Sequence, residues 1–252
     1  MSKPLLACLA FALTVGLIAT WVILTRPIQE PMSRGQQPAS EGDEPGQRDR
    51  VSGTKSDASP AERADHEFGQ LAKPEERMAL LEWASKQPWA DHKTALFRKA
   101  MAADPNADVQ VKALEKSVAL AQKAGPQAVN EVIRAGLSVA TARVVQQALR
   151  EARKHPSPEL VPDLLEVVDS SAAHRFLAID ALAFTDDDRA RAKVIEVASR
   201  ADGDKSERIR AIALLSRVQD ERALLLLGQL TGNADEEVRK VASEALDARV
   251  PK

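Results

Sequence analysis

The sequence predicts an all-α fold: a right-handed α-solenoid of stacked helical hairpins, preceded by an N-terminal transmembrane helix and a disordered linker. Three observations carry that expectation. A short pattern returns five times between Asp108 and the C-terminus, and the run from Pro4 to Thr25 holds no charged residue. Only 3% of residues are aromatic and there is no tyrosine. Alanine and leucine abound instead, which favours helix-on-helix packing over a β-sandwich, whose strands want β-branched and aromatic residues.

Residues 1–3 form a short N-terminal tail. As a helix, residues 4–25 would be about 33 Å long, enough to cross a hydrocarbon core of about 30 Å. A cleaved signal peptide is the competing reading, but its apolar core should be about 7 to 15 residues long and end in a small-x-small site. Ala10-Phe11-Ala12 has that form yet comes too early, with Leu13 to Leu24 still apolar beyond it. An uncleaved signal anchor fits better. Leu5-Leu6-Ala7-Cys8 looks like a lipobox, but its apolar stretch follows the cysteine instead of preceding it. Cys8 therefore reads as a small apolar residue in a membrane helix. As the single cysteine, it allows no intramolecular disulfide and no cysteine-based zinc site. Lys3 lies on one side of the run, Arg26 and Arg34 on the other, so charge orients it weakly. The very short tail places the bulk of the chain on the non-cytoplasmic side, as a single-pass membrane protein.

Residues 26–59 are rich in Pro, Gly, Ser, Gln and charge, with Ile28, Met32 and Val51 almost the only bulky apolar groups. Such a segment buries too little surface to offset its ordering entropy. About 34 flexible residues span roughly 30 Å, so it reads as a tether.

Residues 60–105 form an N-terminal helical capping region. Ser59-Pro60-Ala61-Glu62 has a capping serine, proline at the first helical position and glutamate at the third, a helix-start signal. Pro74-Glu75-Glu76 opens the next helix and Pro88 closes it. A third helix, at about 90–103, ends before Asp104-Pro105-Asn106. Trp83 and Trp89 fall here; they either anchor a partner or seal the open end of the array.

The repeats occupy residues 106–252. A cap-forming residue stands three positions before an apolar or ring residue, which a basic residue usually follows: Asp108…Val111-Lys112, Thr141…Val144-Val145, Ser171…His174-Arg175, Ser206…Ile209-Arg210 and Asp235…Val238-Arg239. The anchors recur about every 29 to 35 residues, the range of helical-repeat units. Ala148, Ala178, Ala213 and Ala242 follow four residues after their anchors; the first repeat has Glu115. Breakers then separate a second helix: Gly125-Pro126, Pro156-Ser157-Pro158, Asp186-Asp187-Asp188 and Gln219-Asp220. Val132, Leu165, Ile195 and Leu230 stand at one constant offset from the first four anchors. Hairpins of this kind bury neither face alone and must stack.

Over about residues 108–249 the chain resembles the HEAT-repeat family, on the strength of Asp235…Val238-Arg239…Ala242 and Asp108…Val111-Lys112. The resemblance implies an aspartate–arginine ladder along the stack, for which Asp108, Arg210, Asp235 and Arg239 are the fitting residues. His174 replaces valine, Val145 replaces arginine, and the last repeat lacks a full second helix. Tetratricopeptide repeats share a similar period but call for recurring tryptophan, glycine and tyrosine, which do not recur here.

Chemistry is sparsely signalled. His66, His92, His155 and His174 are scattered, with no i,i+4 pair, and His174 reads as a core histidine. Asp186-Asp187-Asp188 and Asp202-Gly203-Asp204 lack the longer alternating pattern of a calcium loop. No phosphate loop, nucleophile elbow or zinc-protease motif is present. The net charge of −2, with acids and bases interleaved beyond Asp108, argues against a nucleic-acid partner.

The expectation is a membrane-tethered scaffold or adaptor for a protein partner, held to the membrane through residues 4–25, with no catalysis, cofactor or metal of its own. An enzyme or small-ligand carrier of the bilin-lyase-like HEAT type, a tetratricopeptide-type adaptor, or a spacer without a ligand are the alternatives. Second helices commonly line the concave binding face of such arrays. The partner-binding candidates are accordingly Glu131, Arg134, Asp163, Glu166, Arg191, Lys193, Arg222 and Gln229, with Trp83 and Trp89. Their alternating signs suit a mixed-charge protein better than a single-sign ligand.

Overall fold

A computed structural model describes residues 59–249. The expected membrane anchor and almost all of the expected linker lie outside the described residues. Among the described residues no helix is long and apolar enough to cross a membrane.

Among the described residues twelve α-helices follow one another: α1 (Pro60–Gln70), α2 (Pro74–Ser85), α3 (Ala90–Ala103), α4 (Ala107–Ala121), α5 (Pro126–Leu137), α6 (Ala142–Lys154), α7 (Val161–Ser170), α8 (Ala172–Ala183), α9 (Asp188–Ser199), α10 (Lys205–Leu214), α11 (Glu221–Leu230) and α12 (Glu236–Asp247). A 3₁₀ turn, Pro158–Leu160, leads into α7. Local chemistry sets the ends. Ser59 Oγ accepts from the Glu62 amide and the Glu62 carboxylate accepts from the Ser59 amide, a closed capping box. Gly125 joins α4 to α5 at φ 114°, a conformation that glycine alone adopts without strain.

The helices form two layers. The even-numbered helices from α2 to α12 pack directly on one another in order, and each also packs on an odd-numbered neighbour. The odd-numbered helices meet each other only sparsely. The pair α2–α3 joins this stack in the same manner, so the hairpin packing begins before Asp108. The end of the array is covered by α1, through Ala61, Ala64 and Phe68, and not by Trp83, which is 44% exposed.

The first helices share a register that differs from the sequence pattern at two of five repeats. Their capping residues are Asn106, Thr141, Ser171, Asp204 and Asp235. Seven positions after each cap stands an alanine: Ala113, Ala148, Ala178, Ala211 and Ala242, all 0% exposed. Asp108 and Ser206 are not caps, and Glu115 and Ala213 are exposed. Asn106 accepts hydrogen bonds from the amides of Asp108 and Val109, and Asp204 from that of Glu207. These two carboxamide and carboxylate caps start their helices two residues earlier. The constant offset to the second helices fails at the same two repeats. Each first helix carries a buried alanine at this position, and consecutive first helices pack directly on one another.

The register also explains four arginines. Arg77, Arg175, Arg208 and Arg239 each stand four positions after a cap residue. Each folds back onto main-chain carbonyls just before its own helix: Leu71 and Ala72, Val168, Ala198, and Asn233 with Ala234. Carbonyls at a helix end lack intrahelical donors, and a guanidinium supplies them. Arg239 thus serves the backbone and not the expected ladder.

A ladder exists, built largely from other residues. Lys112 and Lys116 reach Glu82, Arg143 reaches Asp108, Arg153 and Arg210 share Asp180, Arg175 reaches Glu207, and Lys205 reaches Asp235 and Glu237. Every junction between consecutive first helices from α2 to α12 is bridged. Exposed pairs of this kind are individually weak, but they fix register. Hydrogen bonds from Lys116 and Lys205 hold the Glu82 and Asp235 carboxyls below their ordinary values of 4.5 and 3.8. A carboxyl so lowered stabilises the fold above its unfolded value, and that contribution is lost as pH falls through the folded one. Melting temperature is therefore expected to hold steady from neutral pH to about 5 and to fall below about 4.5. Added salt should shrink the acid-sensitive part. A melting temperature unchanged down to pH 3 would show that the ladder adds nothing.

Candidate functional site

The second helices α3 and α5 scarcely touch. A cleft of about 490 Å³ fills the gap, floored by the C-terminal half of α4. Its apolar surface comes from Leu120 and Ala121 on the floor and from Ala128 and Val132 on the α5 wall. Asp91, Arg98, Lys123 and Glu131 give the lining both signs of charge. Lys93 also borders the cleft, but its ammonium is committed to the carbonyl of Gln87 at 2.6 Å, closing the end of α2.

Ser117 gives the floor its chemistry. It is 6% exposed, and its hydroxyl has no hydrogen-bond partner among the described residues. A helical serine usually bonds back to the carbonyl one turn earlier; this one does not. A buried hydroxyl left unpaired costs about 1 to 3 kcal/mol, which an entering group with a polar tip would recover. Gln110 lies two turns earlier on the same stripe of α4, and its Oε1 is likewise buried without a partner.

The residues expected to meet a partner fare differently. Glu131 stands on the cleft wall. Arg134 and Asp163 are brought together as each other's partner at 3.1 Å, and Arg134 also donates to the Glu159 carbonyl. Lys193 spans to Asp169 at 2.9 Å and keeps only 14% of its side chain exposed. Arg191 is held between Asp186 and Asp188. Arg222 folds onto Asp220, the cap of its own helix. Arg134 and Lys193 therefore stitch second helices together, while Arg191 and Arg222 neutralise acids around the helix starts. Glu166 and Gln229 are exposed on α7 and α11, away from the cleft. Trp83 lies edge-on to Trp89, with centroids 5.3 Å apart. Trp89 immediately precedes Ala90 and Asp91 of the cleft wall.

His174 is half-buried, as a core position allows. Its Nδ1 shares a hydrogen bond with Ser171 Oγ at 2.9 Å, and its Nε2 has no partner among the described residues. No group of three or more His, Cys, Asp or Glu side chains among the described residues is placed to hold a metal ion. Ser117, Arg98 and Lys123 carried no motif; their only trace in sequence was the small-residue stripe of Ser117 and Ala121.

No protein-family model matches the chain, and no curated protein matches it. The chain is similar to several solved structures. An engineered protein is 17% identical over 76% of this chain and 97% of its own, with a TM-score of 0.41. A designed armadillo-repeat protein is 16% identical over 75% of this chain and 99% of its own, at 0.40. Another, solved in complex with the peptide (KR)4, is 17% identical over 76% of this chain and all of its own, at 0.42. The recurring cap and alanine, with first helices stacked in order, define the architecture here. This chain is a helical-repeat solenoid.

Proposed function

We propose that the solenoid is a tethered scaffold that binds a protein partner and performs no catalysis of its own. The α3–α5 cleft is the docking point. The observation that carries this reading is the unpaired Ser117 hydroxyl at the base of a cleft with an apolar floor and α5 wall, open where α3 and α5 part. The fitting occupant is a side chain of the partner with an apolar body and a polar tip, oriented by the mixed charges of the lining. The charge-free run 4–25 supports membrane attachment, and a non-cytoplasmic solenoid is part of the same proposal.

The test uses the full chain in its native membrane, with a photo-crosslinking residue at Thr94 on the cleft wall. A purified crosslinked partner should bind wild-type protein and lose at least tenfold in affinity with Ala128→Trp, which fills the cleft; loss of one buried anchor is worth about 2 kcal/mol or more. Equal binding by the filled variant would refute this docking site. A chain lacking residues 1–25 should leave the membrane fraction. The cleft's volume also lies in the range of small-ligand sites. A metabolite-like compound that raises the melting temperature of the wild type but not of Ala128→Trp would favour a ligand carrier instead.

A further inference from the structure

Phe184 sits at the C-cap of α8 and receives guanidinium groups from both neighbouring first helices. The Arg153 guanidinium of α6 lies 4.7 Å from its ring centroid. That of Arg217, in the turn after α10, lies 4.8 Å away. Stacking engages the flat face of a guanidinium and leaves its N–H edge free to donate. Among the described residues neither side chain donates a hydrogen bond to a protein acceptor. The carboxylate facing Arg153 belongs to the buried Asp180, 3.6 Å away, and it is already bound by Arg210 through two bonds of 2.8 Å.

Other cations at this edge are paired. Arg191 holds Asp186 and Asp188, Arg189 holds Asp187, and Arg222 holds Asp220. Beside the Phe184 ring a cleft of about 260 Å³ opens between the α8–α9 and α10–α11 turns, with Thr185, Val218 and Gln219 on its walls. Arg217, with unspent donors, lines this cleft and Arg153 stands over the same ring, while the other charges of the lining, Asp186 and Arg191, pair with each other.

We propose that Arg153 and Arg217, held on Phe184, read an extended acidic segment of a protein partner. The two guanidinium carbons are no further apart than 4.7 and 4.8 Å laid end to end. Alternate side chains of an extended strand lie about 6.6 Å apart on one face, so carboxylates at i and i+2 reach both. A nucleic acid fits less well. Its continuous phosphates would run on past the two guanidinia along the neighbouring helix starts, where Arg189, Arg191 and Arg222 are already paired with acids, whereas a peptide need carry charge only where the guanidinia stand. The inference rests on the array being a protein-binding scaffold, and it adds a second surface and the partner's chemistry.

The test titrates full-length protein in detergent with a fluorescent peptide of alternating Ser and Glu, read by anisotropy. Binding should saturate, weaken as salt rises, and fall at least tenfold in Arg153→Gln/Arg217→Gln, since charge-assisted hydrogen bonds are the strong ones. Both side chains are exposed, and in the variant Asp180 still holds its two bonds from Arg210, so the double variant should keep its helical circular dichroism. Arg217→Lys, which keeps charge but loses the flat stack, should fall between. An equal affinity for the matching Ser–Gln peptide would overturn the proposal, as would unchanged binding by the double variant or tighter binding of a single-stranded oligonucleotide. Ala128→Trp should leave acidic-peptide binding intact. Its failure to block the partner sinks only the α3–α5 site, and an inert double variant sinks only this one.

Discussion

Asp104→Ala is expected to cost about 3 to 5 kcal/mol, the usual penalty for stranding one member of a buried ion pair. The Asp104 carboxylate takes Arg77 in a two-pronged bond, at 2.8 and 3.1 Å, and also accepts from the Asn106 amide. Asp104 is 6% and Arg77 7% exposed. Without the carboxylate, Arg77 keeps only the carbonyls of Leu71 and Ala72, and its charge stays desolvated. The pair ties α2 to the turn between α3 and α4, so the damage should begin at that end. In a stacked array each hairpin rests on its neighbours, so unfolding need not be two-state. Hydrogen exchange should lose protection first across residues 60–105, with α8 to α12 close to wild type. Uniform loss along the array would contradict this local role, and no loss at all would show that the pair is neutral. Arg77→Met with Asp104→Leu should recover much of the stability, since apolar replacement of both partners removes the stranded charge.

The second large effect is expected at Ala148. It is 0% exposed at the centre of the first-helix layer. A Cβ placed on Gly136 of α5 would meet the Ala148 Cβ at 3.0 Å and Leu114 Cδ1 at 3.1 Å. Backbones of α4, α5 and α6 therefore meet with no spare volume. Ala148→Leu should cost about 3 kcal/mol, the upper part of the range for overpacking, and denaturant titration would measure it. Gly136→Ala asks the same neighbours to give by a few tenths of an ångström and should cost less, about 1 kcal/mol. The double variant should be worse than the sum, because both changes compete for one space. If Ala148→Leu is neutral, the alanine register is not what sets the spacing of the first helices.

Much of this fold was legible in residues. Ser59 with Glu62, the prolines at 60, 74 and 126, and Gly125 determine helix ends through bonds and backbone angles that span only a few residues. Alanine and leucine at helical spacing determine that the helices pair, since an amphipathic hairpin must bury its faces against neighbours. The five-fold recurrence was readable for the same reason, although Asp108 and Ser206 masked the true caps at Asn106 and Asp204. Several candidate cap residues stood within three positions there, and local chemistry does not choose between them; the burial of Ala113 and Ala211 does. The partners of charged side chains were not legible. Arg134 with Asp163, Lys193 with Asp169 and Arg210 with Asp180 are separated in sequence by about a repeat, so only the stacking offset brings each pair together. Phe184 gained its two guanidinia through the same offset. The sequence determined helices and their repeat, which depend on near neighbours. The tertiary structure decided which charges were paired within the fold, because only stacking brings residues a repeat apart into contact.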